Sequence, residues 1–62
     1  MSARAELSSV STRVDELLKR VTDIVEALTN QERDAVGPDL YEVERSLRAA
    51  QRRLRSIVDK AG

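Results

Sequence analysis

Residues 7–28 read LSSVSTRVDELLKRVTDIVEAL, and their apolar side chains recur at alternating intervals of three and four residues. This heptad spacing predicts a helix with an apolar stripe along one side, as in a coiled coil. We assign the a positions to Leu7, Val14, Val21 and Leu28, and the d positions to Val10, Leu17 and Ile24. Leu18 and Val25 add apolar e positions, and a stripe of this width is typical of a helix with several neighbours.

A second heptad run occupies residues 40–61, which read LYEVERSLRAAQRRLRSIVDKA. Its a and d positions are Leu40, Val43, Leu47, Ala50, Leu54, Ile57 and Ala61, and Val58 is an apolar e position. Pro38 suits the first turn of a helix, where the amide hydrogen that it lacks is not needed. Asp39 and Glu42 have the spacing of a helix cap and the third helical residue. These signals predict a second helix that starts near residue 38.

The stretch between the two runs contains polar residues 29–34, followed by Gly37 and Pro38. Because proline disfavours a helical conformation in the residue before it, we expect a helix boundary near residue 37. Thr29 and Glu32 have capping-box spacing, so residues 30–36 form either a short helical turn or a plain loop. We therefore predict one domain over residues 1–62, with helix one at about 3–29, a connector at about 30–37 and helix two at about 38–60.

Two helices joined by a short connector normally fold back on each other, so the predicted fold is all-α, a two-helix antiparallel hairpin. The expected register pairs Val14 with Ile57, Leu17 with Leu54, Val21 with Ala50, Ile24 with Leu47, and Leu28 with Val43. A neighbouring register needs only a shorter loop. Packing through a and d leaves the e positions Leu18, Val25 and Val58 exposed. We therefore expect the hairpin to dimerise into a four-helix bundle, or to enter a helical groove on another protein.

The residues predicted to mediate self-association belong to the a, d and e stripes. They are Leu7, Val10, Val14, Leu17, Leu18, Val21, Ile24, Val25, Leu28, Val43, Leu47, Ala50, Leu54, Ile57 and Val58. Tyr41, the only aromatic residue, either packs onto Val36 at the helix start or serves as a contact hot spot. A homodimer is the favoured assembly.

Four arginines lie at outward b and f positions of the second run, and we call them the arginine line: Arg45, Arg48, Arg52 and Arg55. Guanidinium groups bind phosphates and carboxylates, so this line is a candidate contact for a nucleic acid or an acidic partner. Such runs are more often solvated helix faces. The chain has 11 basic and 11 acidic residues, and no aromatic ring lies among the arginines, which argues against strong nucleic-acid binding.

The composition argues against catalysis and against metal binding. With no Cys and no His, the chain lacks thiols, the commonest general base and the commonest transition-metal ligand. Asp23 and Glu26 lie one turn apart, but without a third inward ligand we interpret them as surface carboxylates. We predict no catalytic residues, no cofactor and no metal. No apolar run approaches about 20 residues and no signal pattern occurs, so we expect a cytoplasmic protein without a membrane partner.

The sequence thus predicts a small non-enzymatic helical interaction module that self-associates through its heptad stripes, as a scaffold or an accessory or regulatory subunit. Two alternatives stay open. One is a bundle that binds RNA or DNA phosphates through the arginine line. The other is an obligate small subunit of a larger enzyme complex.

Overall fold

The computed structural model describes residues 2–61, which form two α-helices lying side by side in opposite directions. Helix α1 runs Ala3–Ala27 and helix α2 runs Asn30–Ala61, so only Leu28 and Thr29 connect them. The rod that results measures 46 × 14 × 12 Å. The predicted all-α helical hairpin is confirmed, and residues 2–61 contain no β-strand.

Helix α1 begins where a polar cap is available. Ser2 has an extended backbone, and its Oγ accepts a hydrogen bond from the amide of Ala5 at 3.2 Å. This bond satisfies one of the amides at the helix start that have no partner within the helix. Within α1, the Thr12 hydroxyl donates to the carbonyl of Ser8 at 3.2 Å, so the polar cluster at residues 8–12 fits inside the helix.

The capping box at Thr29 and Glu32 is formed, and it starts α2 earlier than predicted. The Thr29 hydroxyl accepts from the Glu32 amide at 3.1 Å, and the Glu32 carboxylate accepts from the Thr29 amide at 2.9 Å. The Thr29 amide, and after it the Thr29 hydroxyl, hold the pKa of Glu32 below its ordinary value. Residues 30–37, predicted as a connector, therefore form the first two turns of α2.

The helix boundary predicted at residue 37 is wrong, because Pro38 lies inside α2. The residue before it is Gly37, and without a Cβ atom there the clash that usually drives this position out of the helix is reduced. Pro38 cannot donate to the carbonyl four residues earlier, that of Asp34. Asp34 is exposed, so water can reach this carbonyl.

The two helices pack through their a and e positions, and we call this contact the seam. The seam residues of α1 are Leu7, Ser11, Val14, Leu18, Val21 and Val25, followed by Leu28. Those of α2 are Arg33, Gly37, Leu40, Glu44, Leu47, Gln51, Leu54 and Val58. Val25 is the most buried apolar side chain, with 5% of its surface exposed. Gly37 is also buried, and a Cβ atom there would crowd the Arg33 side chain of the same helix.

The predicted division between buried and exposed positions is wrong. Leu18, Val25 and Val58, expected to be exposed, lie in the seam, whereas several d positions expected inside are exposed. The exposed d residues are Val10, Leu17, Ile24, Val43 and Ile57. The reason is the two-residue connection, which shortens the loop and brings a different part of α2 beside α1.

The predicted register is wrong for the same reason. Asp15 contacts Gln51 and Arg55, and Thr22 contacts Glu44. These pairs place each residue of α1 beside an earlier part of α2 than predicted. Four of the five predicted pairs, those of Val14, Leu17, Ile24 and Leu28, also include a residue that is exposed.

Candidate interaction surfaces

The hairpin has two broad faces, because on each helix the d positions lie on one side of the seam and the b positions on the other. In an antiparallel pair, positions with the same letter fall on the same side. Asp15 and Arg55 both occupy b positions, and their Oδ2 and Nη2 atoms are 3.4 Å apart across the seam. We call the side with the b rows the polar face and the side with the d rows the apolar face.

The apolar face consists of two parallel rows of aliphatic side chains. Val10, Leu17 and Ile24 form the row on α1, and Val36, Val43, Ala50 and Ile57 form the row on α2. The six larger side chains are each between 42% and 53% exposed, and Ala50 is half-buried. Large aliphatic side chains aligned in this way along both helices form one contiguous apolar patch, of the kind that marks an interaction site.

The structure divides the predicted self-association residues into two groups. The group on the apolar face contains Val10, Leu17, Ile24, Val43, Ala50 and Ile57. The group in the seam contains Leu7, Val14, Leu18, Val21, Val25, Leu28, Leu47, Leu54 and Val58. Val36 was missed as a member of the apolar face, although it lies seven residues before Val43. Once α2 is known to include residues 30–37, this interval of seven residues identifies Val36 as a d position.

The borders of the apolar face carry exposed charged residues at g and c positions. On α1 they are Glu6, Arg13, Glu16, Arg20 and Asp23. On α2 they are Asp39, Glu42, Arg53 and Lys60. The α2 border is therefore acidic before Ala50 and basic after it, while the α1 border alternates in sign.

The polar face holds the hydrogen bonds that fix the register of the hairpin. The Thr22 hydroxyl donates to the Glu44 carboxylate at 2.9 Å, and the Gln51 amide donates to Asp15 at 2.6 Å. The Arg55 guanidinium adds a longer contact to Asp15 at 3.4 Å. Because these bonds join polar groups at the edge of the seam, the polar face is already engaged within one chain.

Arg33 connects the end of α1 to the start of α2. Its guanidinium donates to the Val25 carbonyl at 3.4 Å and to the Tyr41 hydroxyl at 3.1 Å. The last turn of α1 contains no basic residue, so Arg33 supplies the positive charge that favours a helix C-terminus. The predicted packing of Val36 on Tyr41 is not formed, because Val36 lies on the apolar face and Tyr41 on the polar face.

The arginine line lies on the polar face and its outer edge, and three of its four members contact carboxylates. Arg45 lies 3.8 Å from Glu42, and Arg48 lies 3.7 Å from Glu44. Arg55 contacts Asp15, as described above. Arg52 has no ion pair with any residue between 2 and 61. A shallow open cleft of about 330 Å³ runs past Tyr41, Arg45, Arg48 and Arg52, with Glu44 at its wall.

Neither α1 nor α2 contains an apolar stretch long enough to cross a bilayer. Across residues 2–61, no three Asp or Glu side chains come together to hold a metal ion. Asp23 and Glu26 are both exposed on α1.

Comparison of the chain with protein-family models, curated proteins and solved structures finds no match. The geometry of the two faces is therefore the basis for a functional proposal.

Proposed function

We propose that this protein is a small non-enzymatic helical interaction module that self-associates through its apolar face. The observation that supports the proposal is the alignment of six half-exposed aliphatic side chains along one side of the hairpin. Burying the exposed half of such a side chain contributes roughly 1 kcal/mol. A second hairpin that covers this face would form a four-helix bundle, with the d rows of both chains at its centre.

The apolar face supports this function better than the arginine line supports nucleic-acid binding. The guanidinium groups of Arg45, Arg48 and Arg55 lie within 3.8 Å of carboxylates of the same chain, and these negative charges offset part of the attraction for phosphates. The net charge of zero also provides little long-range attraction for a polyanion. Nucleic-acid binding, a role as a subunit of a larger enzyme and a cytoplasmic location stay predictions.

Sedimentation equilibrium over a wide range of concentrations tests the proposal. We expect a particle with twice the chain mass of 6.9 kDa that dissociates on dilution. A mass of one chain at every concentration would contradict self-association, and it would direct attention to a different protein as the partner of the apolar face.

A matched pair of variants links the association to the apolar face. Ile24→Ser removes a side chain that is 53% exposed on this face, and Tyr41→Ser removes one that is 47% exposed on the polar face. We expect Ile24→Ser to raise the dissociation constant of the dimer about tenfold or more, since it removes two contacts per dimer. Tyr41→Ser should leave the constant nearly unchanged. Equal effects of the two variants would contradict the assignment.

A further inference from the structure

We propose that the second hairpin docks on the apolar face turned end for end, so that the two connections lie at opposite ends of the bundle. This inference rests on the self-association proposed above and adds the orientation of the partner. Its two-fold axis crosses the rod at the level of Leu17 and Ala50. In this arrangement α1 packs antiparallel to the α1 of the second copy, and α2 packs antiparallel to the second α2.

Leu17 and Ala50 lie at nearly the same height along the rod. Asp15 bonds to Gln51 at 2.6 Å, and with a rise of about 1.5 Å per residue, Leu17 and Ala50 differ in height by only about 1.5 Å. A single two-fold axis perpendicular to the helices can therefore run between the two hairpins next to both residues. Leu17 then meets Leu17 of the second copy, and Ala50 meets Ala50.

The side chains on the apolar face are arranged symmetrically about this level. On α1, Val10 and Ile24 lie seven residues before and after Leu17. On α2, Val43 and Ile57 lie seven residues before and after Ala50. The two-fold axis therefore brings Val10 against Ile24 of the second copy, and Val43 against Ile57. Val36 lies 14 residues before Ala50 and so extends past Ala61 of the second copy, but every other large side chain in these rows meets another. The small Ala50 lets the two α2 helices approach closely.

The border charges of α2 favour the same orientation. Asp39 and Glu42 precede Ala50, whereas Arg53 and Lys60 follow it. An antiparallel second α2 places its basic half beside this acidic half, and Lys60 of the second copy falls at the height of Asp39. Opposite charges across such a border steer association and fix the register.

The border of α1 can face the α1 border of the second copy without unfavourable net charge. Arg13 and Arg20 of opposite copies approach each other there, but Glu16 and Asp23 lie beside them, so the cluster of four residues from each copy is neutral. The arrangement therefore brings no net charge of one sign together on the α1 side.

The other two-fold arrangement, with both connections at the same end, has poorer charge complementarity. It sets α1 against α2 of the second copy, so that Glu6 meets Lys60. It also brings Arg13 against Arg53, which has no acidic residue three or four positions away in its own helix. Asp39 then faces the uncharged Ala27. In the end-for-end arrangement, by contrast, Asp39 has Lys60 of the second copy at its own height.

Distances between spin labels distinguish the two arrangements. The chain contains no cysteine, so the single substitution Gln31→Cys gives one label per copy, next to the connection. End-for-end docking separates the two labels by more than about 40 Å, because each lies 19 residues from Ala50. Docking with the connections at the same end separates them by less than about 25 Å, two interhelical distances plus the label arms.

Ala49→Cys provides the control label, since residue 49 lies near the axis and gives a short distance in both arrangements. We expect a long distance at residue 31, a short one at residue 49, and a dimer mass for both variants. Short distances at both positions in a dimer would overturn the orientation and leave the self-association intact. A monomer mass for the unlabelled chain would overturn the orientation and the self-association together.

Discussion

At Pro38, a residue that usually ends a helix lies within one. The preceding Gly37 reduces the steric clash between Pro38 and the residue before it. A Cβ atom on Gly37 would lie only 3.2 Å from Cγ of Arg33. The Arg33 side chain passes Gly37 on its way to the Val25 carbonyl. A sequence pattern counts Gly-Pro as a boundary because it cannot include such tertiary contacts. The strong capping box that starts α2 eight residues earlier is readable from the sequence, and it has the greater effect here.

Replacing Pro38 should stabilise the hairpin. Pro38→Ala restores an amide that can donate to the Asp34 carbonyl, and it removes a residue that is unfavourable inside a helix. We expect the free energy of unfolding to rise by about 2 kcal/mol, since the freer unfolded chain offsets part of the gain. Thermal melts at fixed chain concentration measure this change. Pro38→Gly restores the amide with a lower helix propensity, so its gain should be smaller. A loss of stability in Pro38→Ala would contradict the expectation that Pro38 is unfavourable inside α2.

Glu32 should give the hairpin a pH dependence with a definite sign. Its pKa is lowered by the amide and then the hydroxyl of Thr29, so the charged carboxylate is favoured in the folded state. The resulting stability is present at neutral pH, and it is lost as the pH falls through the lowered pKa. Urea denaturation at a series of pH values should show a smaller acid loss for Glu32→Gln than for the original chain. Identical curves for the two proteins would argue against this contribution.

At the scale of the helices, periodicity was sufficient to predict two helices but not which side of each would face the other. On α1 the a, d and e positions all include apolar residues. Either the a and d rows or the a and e rows could therefore form the seam. The choice of a and e depends on the loop, because starting α2 at Asn30 brings Gly37 and Leu40 beside the end of α1. No pattern confined to one helix contains that information.

Two adjacent leucines test this choice of seam. Leu17 is 49% exposed on the apolar face, whereas Leu18 lies half-buried in the seam. We expect Leu17→Ser to weaken dimerisation while the helicity of the monomer at high dilution is kept. Leu18→Ser should lower that helicity, because it removes packing within one chain and costs about 2 kcal/mol. Circular dichroism and sedimentation on the same samples separate the two effects. Loss of monomer helicity in Leu17→Ser alone would indicate an a and d seam.

At the scale of the whole molecule, the rod is a single layer of two helices. Helices α1 and α2 are the only elements formed by residues 2–61. Each helix therefore has one neighbour, and a stripe three positions wide cannot be covered. The sequence was sufficient to predict this surplus of apolar surface. It was not sufficient to predict that the exposed side chains are those of the d rows. That depends on the register of α2 against α1, which the polar contacts of Asp15 and Thr22 establish.

The border charges of this layer lead to a last prediction, which compares two variants of identical charge. Asp39→Lys and Glu6→Lys each replace an acidic border residue with a basic one. In the end-for-end dimer Lys60 of the second copy lies beside Asp39, so Asp39→Lys should weaken dimerisation by several-fold at low salt, with two such contacts of about 0.2–1 kcal/mol each. Glu6→Lys should have the smaller effect.

Reversing the partner charge completes the comparison. Asp39→Lys combined with Lys60→Asp restores an opposite pair at each end of the bundle, so dimerisation should recover toward that of the original chain. The differences should shrink at high salt, because exposed charges are screened there. Sedimentation measures the dissociation constants, and circular dichroism checks that the helices are unchanged. A larger loss in Glu6→Lys, where Lys60 faces Glu6 only if both connections share one end, would support that other arrangement instead.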